Sequence, residues 1–300
     1  MKMTTQKKTM ASGRKRLFRI VSAGQNTTDQ HQHFLSLNQA PIQEFLGDYI
    51  VTSTNRRLEG IHRKNWWGFA GKKSCDQALH QVYQTNSKSY PNYLVKESKN
   101  EWNRQRLVLR EDDDIDKPDP LPFAFSLVTN SGPFLPNVRK ILHTCVPRFP
   151  HTGKDAEPFL HTTLPHAWVA SEAEAFGILK ACYDNIFETI LKEESTIEDS
   201  NSLTRLMDSF ASWDSDSSTQ KEIAVCLPAI GCGYNGYPIS EAANIALDCI
   251  HENLEDSRLT SSNTATNKQF NFNVEIRFRE TRTFEIWQEQ VLRRLPAQFQ

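Results

Sequence analysis

The sequence predicts an α/β protein with a mixed, mostly parallel central sheet and helices on both of its faces. Apolar runs with strand character alternate along the chain with segments whose apolar residues recur at helical spacing. The predicted strands lie at 49–51, 123–128, 138–144 and 273–278, and in the apolar run that begins at 223. Parallel neighbours need a long crossover connection, usually a helix, so this alternation favours a sheet buried between two helical layers.

The segment 223–250 is the most informative part of the chain. Its apolar run is followed at once by the glycine-rich turn 230–236, which we call the glycine loop. A helix then begins, and its apolar face consists of Ala242, Ile245, Ala246, Cys249 and Ile250. Glycines let backbone N–H groups approach a phosphate closely, and a helix N-terminus adds partial positive charge. This arrangement predicts a binding site for a diphosphate.

The stretch Gly231-Cys-Gly-Tyr-Asn-Gly236 also matches the G-x-G-x-x-G fingerprint of dinucleotide-binding proteins. An NAD-dependent oxidoreductase is therefore one alternative. Such proteins usually carry the fingerprint in their first strand–helix turn, with several more strand–helix units after it. Only 64 residues follow Gly236, which places the glycine loop late in the sheet and makes this alternative the weaker one.

A second group of candidate residues follows the predicted strand 49–51. Asn55 lies just past the end of this strand, where open α/β sheets place ligand-binding groups. Further along, Ser74 and Gln77 have the spacing of a capping box, and Asp76 lies in the first turn of the helix that they predict. The apolar face of this helix consists of Cys75, Ala78, Leu79, Val82 and Tyr83.

These segments resemble the macrodomains, a family that binds ADP-ribose. The resemblance spans about residues 39–289 and rests on blocks that occur in the order of the family. They are Asp48-Tyr-Ile-Val-Thr-Ser-Thr-Asn55, Cys75-Asp-Gln-Ala-Leu-His80, the neighbouring segments 129–136 and 138–147, and Pro228 to Ala243. The resemblance implies a three-layer α/β/α sandwich.

The sequence departs from the family pattern at several positions. Thr52 stands where the first asparagine of Asn-x-x-Asn is expected, and Asn235 stands where an aromatic residue precedes the last glycine of the loop. The run of glycines before the helix is dispersed, with Gly68 and Gly71 around Phe69-Ala70.

The resemblance implies a role for each candidate residue. Backbone N–H groups of the glycine loop would wrap the diphosphate of ADP-ribose, and Asn55 would hold the distal ribose. Asp48 or Asn38 would bind the adenine amine, and Phe278 would stack on the adenine ring. The residues assigned to the loop are Ile230, Gly231, Cys232, Gly233, Tyr234, Asn235 and Gly236.

The resemblance leaves open whether the chain is an enzyme. If it is, Asp76 would orient or activate water toward the anomeric carbon of the distal ribose, with Asn55 fixing that ribose. The substrates would be mono-ADP-ribosylated proteins with a carboxylate linkage, or O-acetyl-ADP-ribose. If it is not, the chain is an interaction module that binds ADP-ribose or ADP-ribosylated proteins without hydrolysing them. Neither a cofactor nor a metal is expected.

The composition limits the classes of partner. The 35 Lys and Arg residues balance 36 Asp and Glu residues, so no general affinity for nucleic acid follows. The sequence contains neither an apolar run of membrane-spanning length nor a secretory signal. Most of the six cysteines fall inside apolar strand or helix patterns, which favours free thiols in a reducing compartment such as the cytoplasm or the nucleus.

The chain is expected to form a single domain over residues 29–300. Polar insertions are predicted near 85–122 and 195–220, and a helix at 172–191 begins with a capping box of Ser171 and Glu174. Residues 1–28 carry seven Lys or Arg residues and no acidic residue, which predicts a disordered basic tail. An organelle transit peptide is the alternative for this tail.

Overall fold

The computed structural model describes residues 2–6, 15–21, 32–58, 75–86, 93–109, 120–150, 169–208, 221–255 and 270–294. In this part of the chain the strands are β1 Lys2–Gln6, β2 Lys15–Val21, β3 Gln32–Asn38, β4 Gly47–Ser53, β5 Ser126–Asn130, β6 Val138–Thr144, β7 Lys221–Pro228 and β8 Phe270–Arg277. The helices are α1 Cys75–Asn86, α2 Tyr93–Leu109, α3 Glu172–Asp208, α4 Ile239–Glu255 and α5 Thr281–Arg294. One 3-10 turn, Ile42–Glu44, precedes β4.

The described strands form one mixed sheet in the order β1-β2-β3-β8-β7-β4-β6-β5. The run β3-β8-β7-β4-β6 is parallel, while β1, β2 and β5 join it by antiparallel pairing. The parallel strands therefore all end at the same edge of the sheet, which we call the carboxyl edge. The predicted mixed, mostly parallel sheet is confirmed.

The sheet is buried on both faces. Successive residues of a strand point to opposite sides of the sheet, and here both sets pack against helices. Tyr49 and Val51 belong to the apolar cluster that includes residues of α3, α4 and α5, whereas Ile50 belongs to a second cluster with Leu79 and Tyr83 of α1. The predicted arrangement of two helical layers around a central sheet is thus confirmed.

The structure differs from the predicted disordered tail at two stretches of residues 1–28. Lys15–Val21 pairs along its whole length with β3, and Lys2–Gln6 pairs in turn with β2. The apolar stretch between Leu17 and Val21, which the sequence also allows as the first strand, forms most of β2. Antiparallel pairing with β3 supplies partners for the backbone groups of that strand.

The predicted polar insertions also contain regular structure. Helix α2 lies within 85–122, and its buried residues recur every fourth position at Leu94, Ser98, Trp102 and Arg106. The remainder of that insertion, including the acidic run 111–116, lies outside the described residues.

Helix α3 continues to Asp208, well beyond the predicted end at 191. The hydroxyl groups of Ser195 and Thr196 donate to the carbonyl of Lys192 in the preceding turn, so these polar residues do not interrupt the helix. The predicted capping box is present at its start. The Glu174 N–H donates to Ser171 Oγ at 3.1 Å, and the Glu174 carboxylate accepts from the Ala170 N–H at 2.9 Å.

A buried carboxylate joins α3 to the edge of the sheet opposite the carboxyl edge. Glu194 is fully buried and accepts hydrogen bonds from the Tyr49 hydroxyl, the Arg139 guanidinium and, at 2.5 Å, Lys221 Nζ. Burial by itself would raise the pKa of Glu194, but the bonds from Lys221, Tyr49 and Arg139 outweigh burial and lower the pKa. The three donors come from β4, β6 and β7, so this single residue fixes α3 against three strands.

Replacing Glu194 by Ala should destabilise the fold by about 1–3 kcal/mol, because the buried Tyr49 hydroxyl would lose its acceptor, whereas Arg139 and Lys221 are 32% and 36% exposed and stay solvated. The pKa of Glu194 is lower in the folded state. The contribution of ionised Glu194 to the free energy of unfolding is therefore fully present above the pKa of this residue in the unfolded chain, about 4.3. It is lost as the pH falls through the lower pKa of the folded protein. Urea unfolding at a series of pH values measures both effects. Glu193→Gln is the control. The Glu193 carboxylate forms only a long ion pair at the surface, 3.9 Å from Lys140 Nζ, so this substitution should change stability little.

Candidate functional site

The glycine loop connects β7 to α4 at the carboxyl edge, and its backbone requires glycine at two positions. Gly231 has φ +82° and Gly236 has φ +73°, values that other residues rarely adopt. At Gly231 a Cβ atom would also lie 2.8 Å from the Tyr237 ring. At Gly233, by contrast, a Cβ atom would meet nothing within 4 Å. The loop therefore packs on the protein at Gly231 and opens outward at Gly233.

Hydrogen bonds within the glycine loop fix its shape. The N–H of Cys232 donates to Ala229 O at 3.2 Å, that of Gly236 to Gly233 O at 3.1 Å, and that of Tyr237 to Gly231 O at 3.1 Å. The buried Tyr237 then anchors the loop to α3, because its hydroxyl donates to the Ala175 carbonyl at 3.1 Å. The cradle is thus formed by the fold itself.

The side chains of the glycine loop divide into buried and exposed ones. Ile230 belongs to the core, whereas Tyr234 is 41% exposed. Asn235 is half-buried, and its carbonyl accepts from the Phe149 N–H at 2.8 Å. Burial raises the pKa of the Cys232 thiol to about 12, so this cysteine is protonated at neutral pH and is a poor nucleophile.

Asn55 lies two residues beyond the end of β4, the strand beside β7. The Thr54 N–H donates to Thr144 O at 2.8 Å and so extends the pairing with β6 by one residue. The Asn55 side-chain oxygen accepts from the Arg57 N–H at 2.9 Å, which fixes the orientation of the side chain in an Asx turn. The structure therefore brings Asn55 and the glycine loop to adjacent positions on the carboxyl edge.

Asp76 lies in the first turn of α1, packed against the sheet beneath that edge, and is only 1% exposed. Its Oδ1 atom accepts from the Thr52 hydroxyl at 3.1 Å and lies 3.6 Å from His80 Nε2. Within the described residues, its second oxygen, Oδ2, has no hydrogen-bond partner. Thr52, which replaces the first asparagine of the motif, thus binds the carboxylate that was predicted to be catalytic.

His143 lies beside Thr52 on the neighbouring strand and extends this polar cluster. It shares a hydrogen bond of 2.9 Å with the Thr129 hydroxyl. Burial lowers the pKa of His143 to about 4, although the charge of Asp76 acts in the opposite direction. His143 is therefore neutral at physiological pH, and its bond to Thr129 is consistent with a structural role.

Asp48 does not lie with the other site residues. It is the second residue of β4, at the end of the strand opposite the carboxyl edge, and its carboxylate accepts from the Ala224 N–H at 2.9 Å. The prediction that it binds adenine is therefore corrected: Asp48 and Asn55 flank the same strand but point to opposite edges of the sheet. Asn38, the alternative, is the last residue of β3, and its side-chain amide donates to Glu275 at the carboxyl edge.

Phe278 lies at the carboxyl edge but does not offer its ring to a ligand. Its N–H donates to Asn38 O at 2.9 Å, and the side chain is only 2% exposed. The ring packs against Phe284 and Trp287 of α5, with centroid distances of 5.6 and 5.4 Å. The predicted stacking on adenine is corrected, because α5 covers this ring.

Two features of the carboxyl edge were missed by the sequence reasoning. The first is a buried ion pair in β8, in which Arg277 Nε donates to Glu275 Oε1 at 2.5 Å. The sequence carried a signal for this ion pair, because two charged residues alternate with apolar ones in a strand that has a buried face. The second is Arg148, whose guanidinium lies 4.1 Å from the centre of the Tyr234 ring. No local pattern marks Arg148, because its partner lies in a distant loop.

Several residues named from the sequence lie outside the described residues. They are Ser74 and the stretch between Gly60 and Lys73, which includes Gly68 and Gly71. Within the described ranges, no group of three or more His, Cys, Asp or Glu side chains has an arrangement that could hold a metal ion. The helices of those ranges likewise include none with the length and hydropathy to cross a membrane.

Comparison of the sequence with protein-family models and with curated proteins finds no match. Solved structures do match. A macrodomain of Oceanobacillus iheyensis with MES bound superimposes with a TM-score of 0.50 at 18% identity, over 93% of this chain and 97% of that one. A variant of the same macrodomain with ADPR bound gives a TM-score of 0.51 at 19% identity, over 92% and 97%. The complex of this macrodomain with ADP gives a TM-score of 0.51 at 18% identity, over 92% of this chain and 96% of that one.

The chain has the macrodomain fold. At this level of identity the match is one of architecture, and it extends over nearly the whole length of both chains. The macrodomain resemblance that the sequence motifs carried is therefore confirmed at the level of the fold.

Gly231 and Gly233 of the loop should respond differently to substitution. Gly231→Ala should destabilise the protein by about 1–3 kcal/mol, because a methyl group would meet the Tyr237 ring at a left-handed backbone position. Gly233→Ala should change stability by no more than about 0.5 kcal/mol, since space is open there. Thermal and urea unfolding of both variants measure the difference. Equal stability of the two would contradict the backbone geometry described for Gly231.

Proposed function

We propose that this protein binds ADP-ribose at the carboxyl edge, between the glycine loop and the end of β4. The observation that carries the proposal is the preformed loop, whose two left-handed glycines and internal hydrogen bonds leave its Gly233 side open. Backbone N–H groups in such a loop, followed directly by a helix N-terminus, suit the two negative charges of a diphosphate. Asn55 supplies a side-chain amide beside the loop for the hydroxyl groups of the distal ribose.

The solved structures of the same fold support the choice of ligand. The Oceanobacillus iheyensis macrodomain has been solved with ADP bound and, as a variant, with ADPR bound. The topology also opposes the oxidoreductase alternative. The G-x-G-x-x-G stretch follows β7, the next-to-last described strand, whereas dinucleotide-binding folds use it after their first strand.

Isothermal titration of the full chain with ADP-ribose, ADP and NAD tests the proposal. ADP-ribose should bind with a single site per chain, and ADP should bind more weakly because it lacks the distal ribose. Tight binding of NAD together with no binding of ADP-ribose would favour the oxidoreductase alternative.

Gly233→Glu should abolish ADP-ribose binding while leaving the fold intact. The substitution adds a side chain and a negative charge on the open side of the loop, where the diphosphate is proposed to lie. Gly177→Glu is a matched control, because Gly177 is an exposed glycine of α3 that also has nothing within 4 Å of a Cβ atom. Wild-type affinity in Gly233→Glu, or an equal loss in both variants, would place the binding site elsewhere.

We propose hydrolysis of ADP-ribosyl esters as a second and weaker function. The observation that favours it is the Asp76 carboxylate at the start of α1, with one oxygen held by Thr52 and the other without a partner in the described part of the chain. A water molecule would attack the anomeric carbon of the distal ribose. The bond from that carbon to the ester oxygen would break, and the proton of the water would pass to Asp76. Carboxylate-linked protein adducts contain such a bond, and O-acetyl-ADP-ribose contains it where the acetyl group is on the anomeric oxygen.

The burial of Asp76 predicts slow turnover at best, because the carboxylate is only 1% exposed and one of its oxygens is occupied. Asp76→Ala should abolish any release of ADP-ribose from a mono-ADP-ribosylated protein while ADP-ribose binding persists. Asp76→Asn keeps the shape and the bond to Thr52, and so controls for loss of structure. Undiminished turnover in both variants would exclude Asp76 as the catalytic group, and absence of turnover in the wild type would leave a binding module.

A further inference from the structure

The chain that follows β6 contacts the glycine loop directly. The Phe149 N–H donates to Asn235 O at 2.8 Å, and the Arg148 guanidinium stacks on the ring of Tyr234 at 4.1 Å from its centre. Arg148 is 8% exposed, whereas Tyr234 is 41% exposed. A buried cation therefore lies against one face of a ring that is partly exposed to solvent.

The strand order fixes where this contact lies. Strand β4 lies between β7 and β6, so the loop from β7 reaches the segment after β6 only across the end of β4. Asn55 follows β4 at that point, and the N–H of its neighbour Thr54 is bonded to the last residue of β6. The contact between Arg148 and Tyr234 thus lies at the Asn55 end of the site, where the distal ribose of ADP-ribose is proposed to bind.

The two sides of the glycine loop are held by different hydrogen bonds and ring contacts, although the Phe149 and Tyr237 rings also pack on each other with centroids 5.2 Å apart. The Gly231 side is anchored by Tyr237, which is buried and bonded to α3. The Tyr234–Asn235 side is held by Arg148 and Phe149. Glycine-rich backbone loses much conformational freedom when it is ordered, so each anchor lowers the entropy that binding itself must remove. Loss of the Arg148 contact should loosen the Tyr234 side and leave the Gly231 side in place.

We infer that Arg148 is a positioning residue that orders the distal half of the glycine loop through Tyr234 and thereby sets the preference for ADP-ribose over ADP. This inference rests on the proposed function. The diphosphate is common to both ligands and is proposed to lie at Gly233, on the open side of the loop between the two anchors. The distal ribose is present only in ADP-ribose and is proposed to lie at the Asn55 end, beside the part of the loop that Arg148 anchors.

The test measures the affinities of ADP-ribose and ADP for Arg148→Gln, Tyr234→Leu and Tyr234→Phe by titration of the full chain. Arg148→Gln and Tyr234→Leu should weaken ADP-ribose about three- to thirty-fold, the range expected for loss of a partly desolvated cation–π contact, and should weaken ADP less, so that the ratio of the two affinities falls. Tyr234→Phe keeps the ring and should retain most of the preference that Tyr234→Leu loses. The double variant Arg148→Gln/Tyr234→Leu should lose no more than the larger single effect.

A purely structural role for Arg148 would weaken both ligands equally and lower the thermal midpoint in parallel, and that result would overturn the inference. An unchanged ratio of affinities in Tyr234→Leu would overturn it as well, and this exposed position tests it even if Arg148→Gln does not fold. Arg293→Gln, at an exposed ion pair of α5, is the control for loss of an arginine. If the wild type binds neither ligand, the proposed function fails. If the wild type binds both ligands and the variants keep its ratio of ADP-ribose to ADP affinity, only the inference about Arg148 fails.

Discussion

The parallel pairing of β4 with β7 on one side and with β6 on the other is the constraint on which the candidate site depends. Its register sets Ile50 beside Cys226 and Thr52 beside His143. It thereby fixes the heights at which the three strands end, and brings Asn55, the glycine loop and the segment of Arg148 to one edge. A shift by one residue would turn Thr52 to the other face of the sheet, away from Asp76, and would bury polar groups among the apolar contacts of α3.

Two buried carboxylates show how the fold separates stability from function. Glu194 receives three donors, two of them cationic, and joins α3 to the sheet. Asp76 receives one hydroxyl group and has a histidine nearby, with one oxygen unpaired among the described residues. A buried polar group that is only partly satisfied is unfavourable for folding, and such groups persist mainly where function requires them. Under the proposed function, this contrast favours Asp76 over Glu194 as the carboxylate with a chemical role.

Local patterns were sufficient to predict most of the fold. The strand 138–144 and the start of α1 at Cys75 were predicted at their observed positions, because apolar periodicity and helix-start signals are encoded within a few residues. The predicted C-terminal end of α3 at residue 191 was wrong for the opposite reason. Beyond residue 191 its sequence is polar, and the buried Glu194 that continues its inner face can be recognised only with its partners on three strands.

The assignments within the site failed or succeeded according to strand direction and coverage, which single residues do not reveal. Asp48 and Asn55 are both polar residues flanking one apolar strand, and only the direction of that strand in the sheet separates them. Phe278 was placed at the correct edge, yet α5 folds back over its ring, and that packing depends on Phe284 and Trp287. The motif match thus indicated the carboxyl edge as the candidate site, while long-range packing determined which of the candidate side chains are covered.

The arrangement also makes binding and catalysis depend on different parts of the molecule. The glycine loop is ordered by its own backbone bonds and by Tyr237 and Arg148, so the diphosphate of the proposed ligand would meet a cradle that needs little reorganisation. Catalysis would need more, because Asp76 is buried and bonded to Thr52, and its carboxylate would have to reach water beside the ribose. Small displacements reduce rates heavily while leaving affinity almost unchanged. Replacement of the motif's first asparagine by Thr52 therefore bears on turnover far more than on recognition, and a chain of this kind can retain the ligand while losing the reaction.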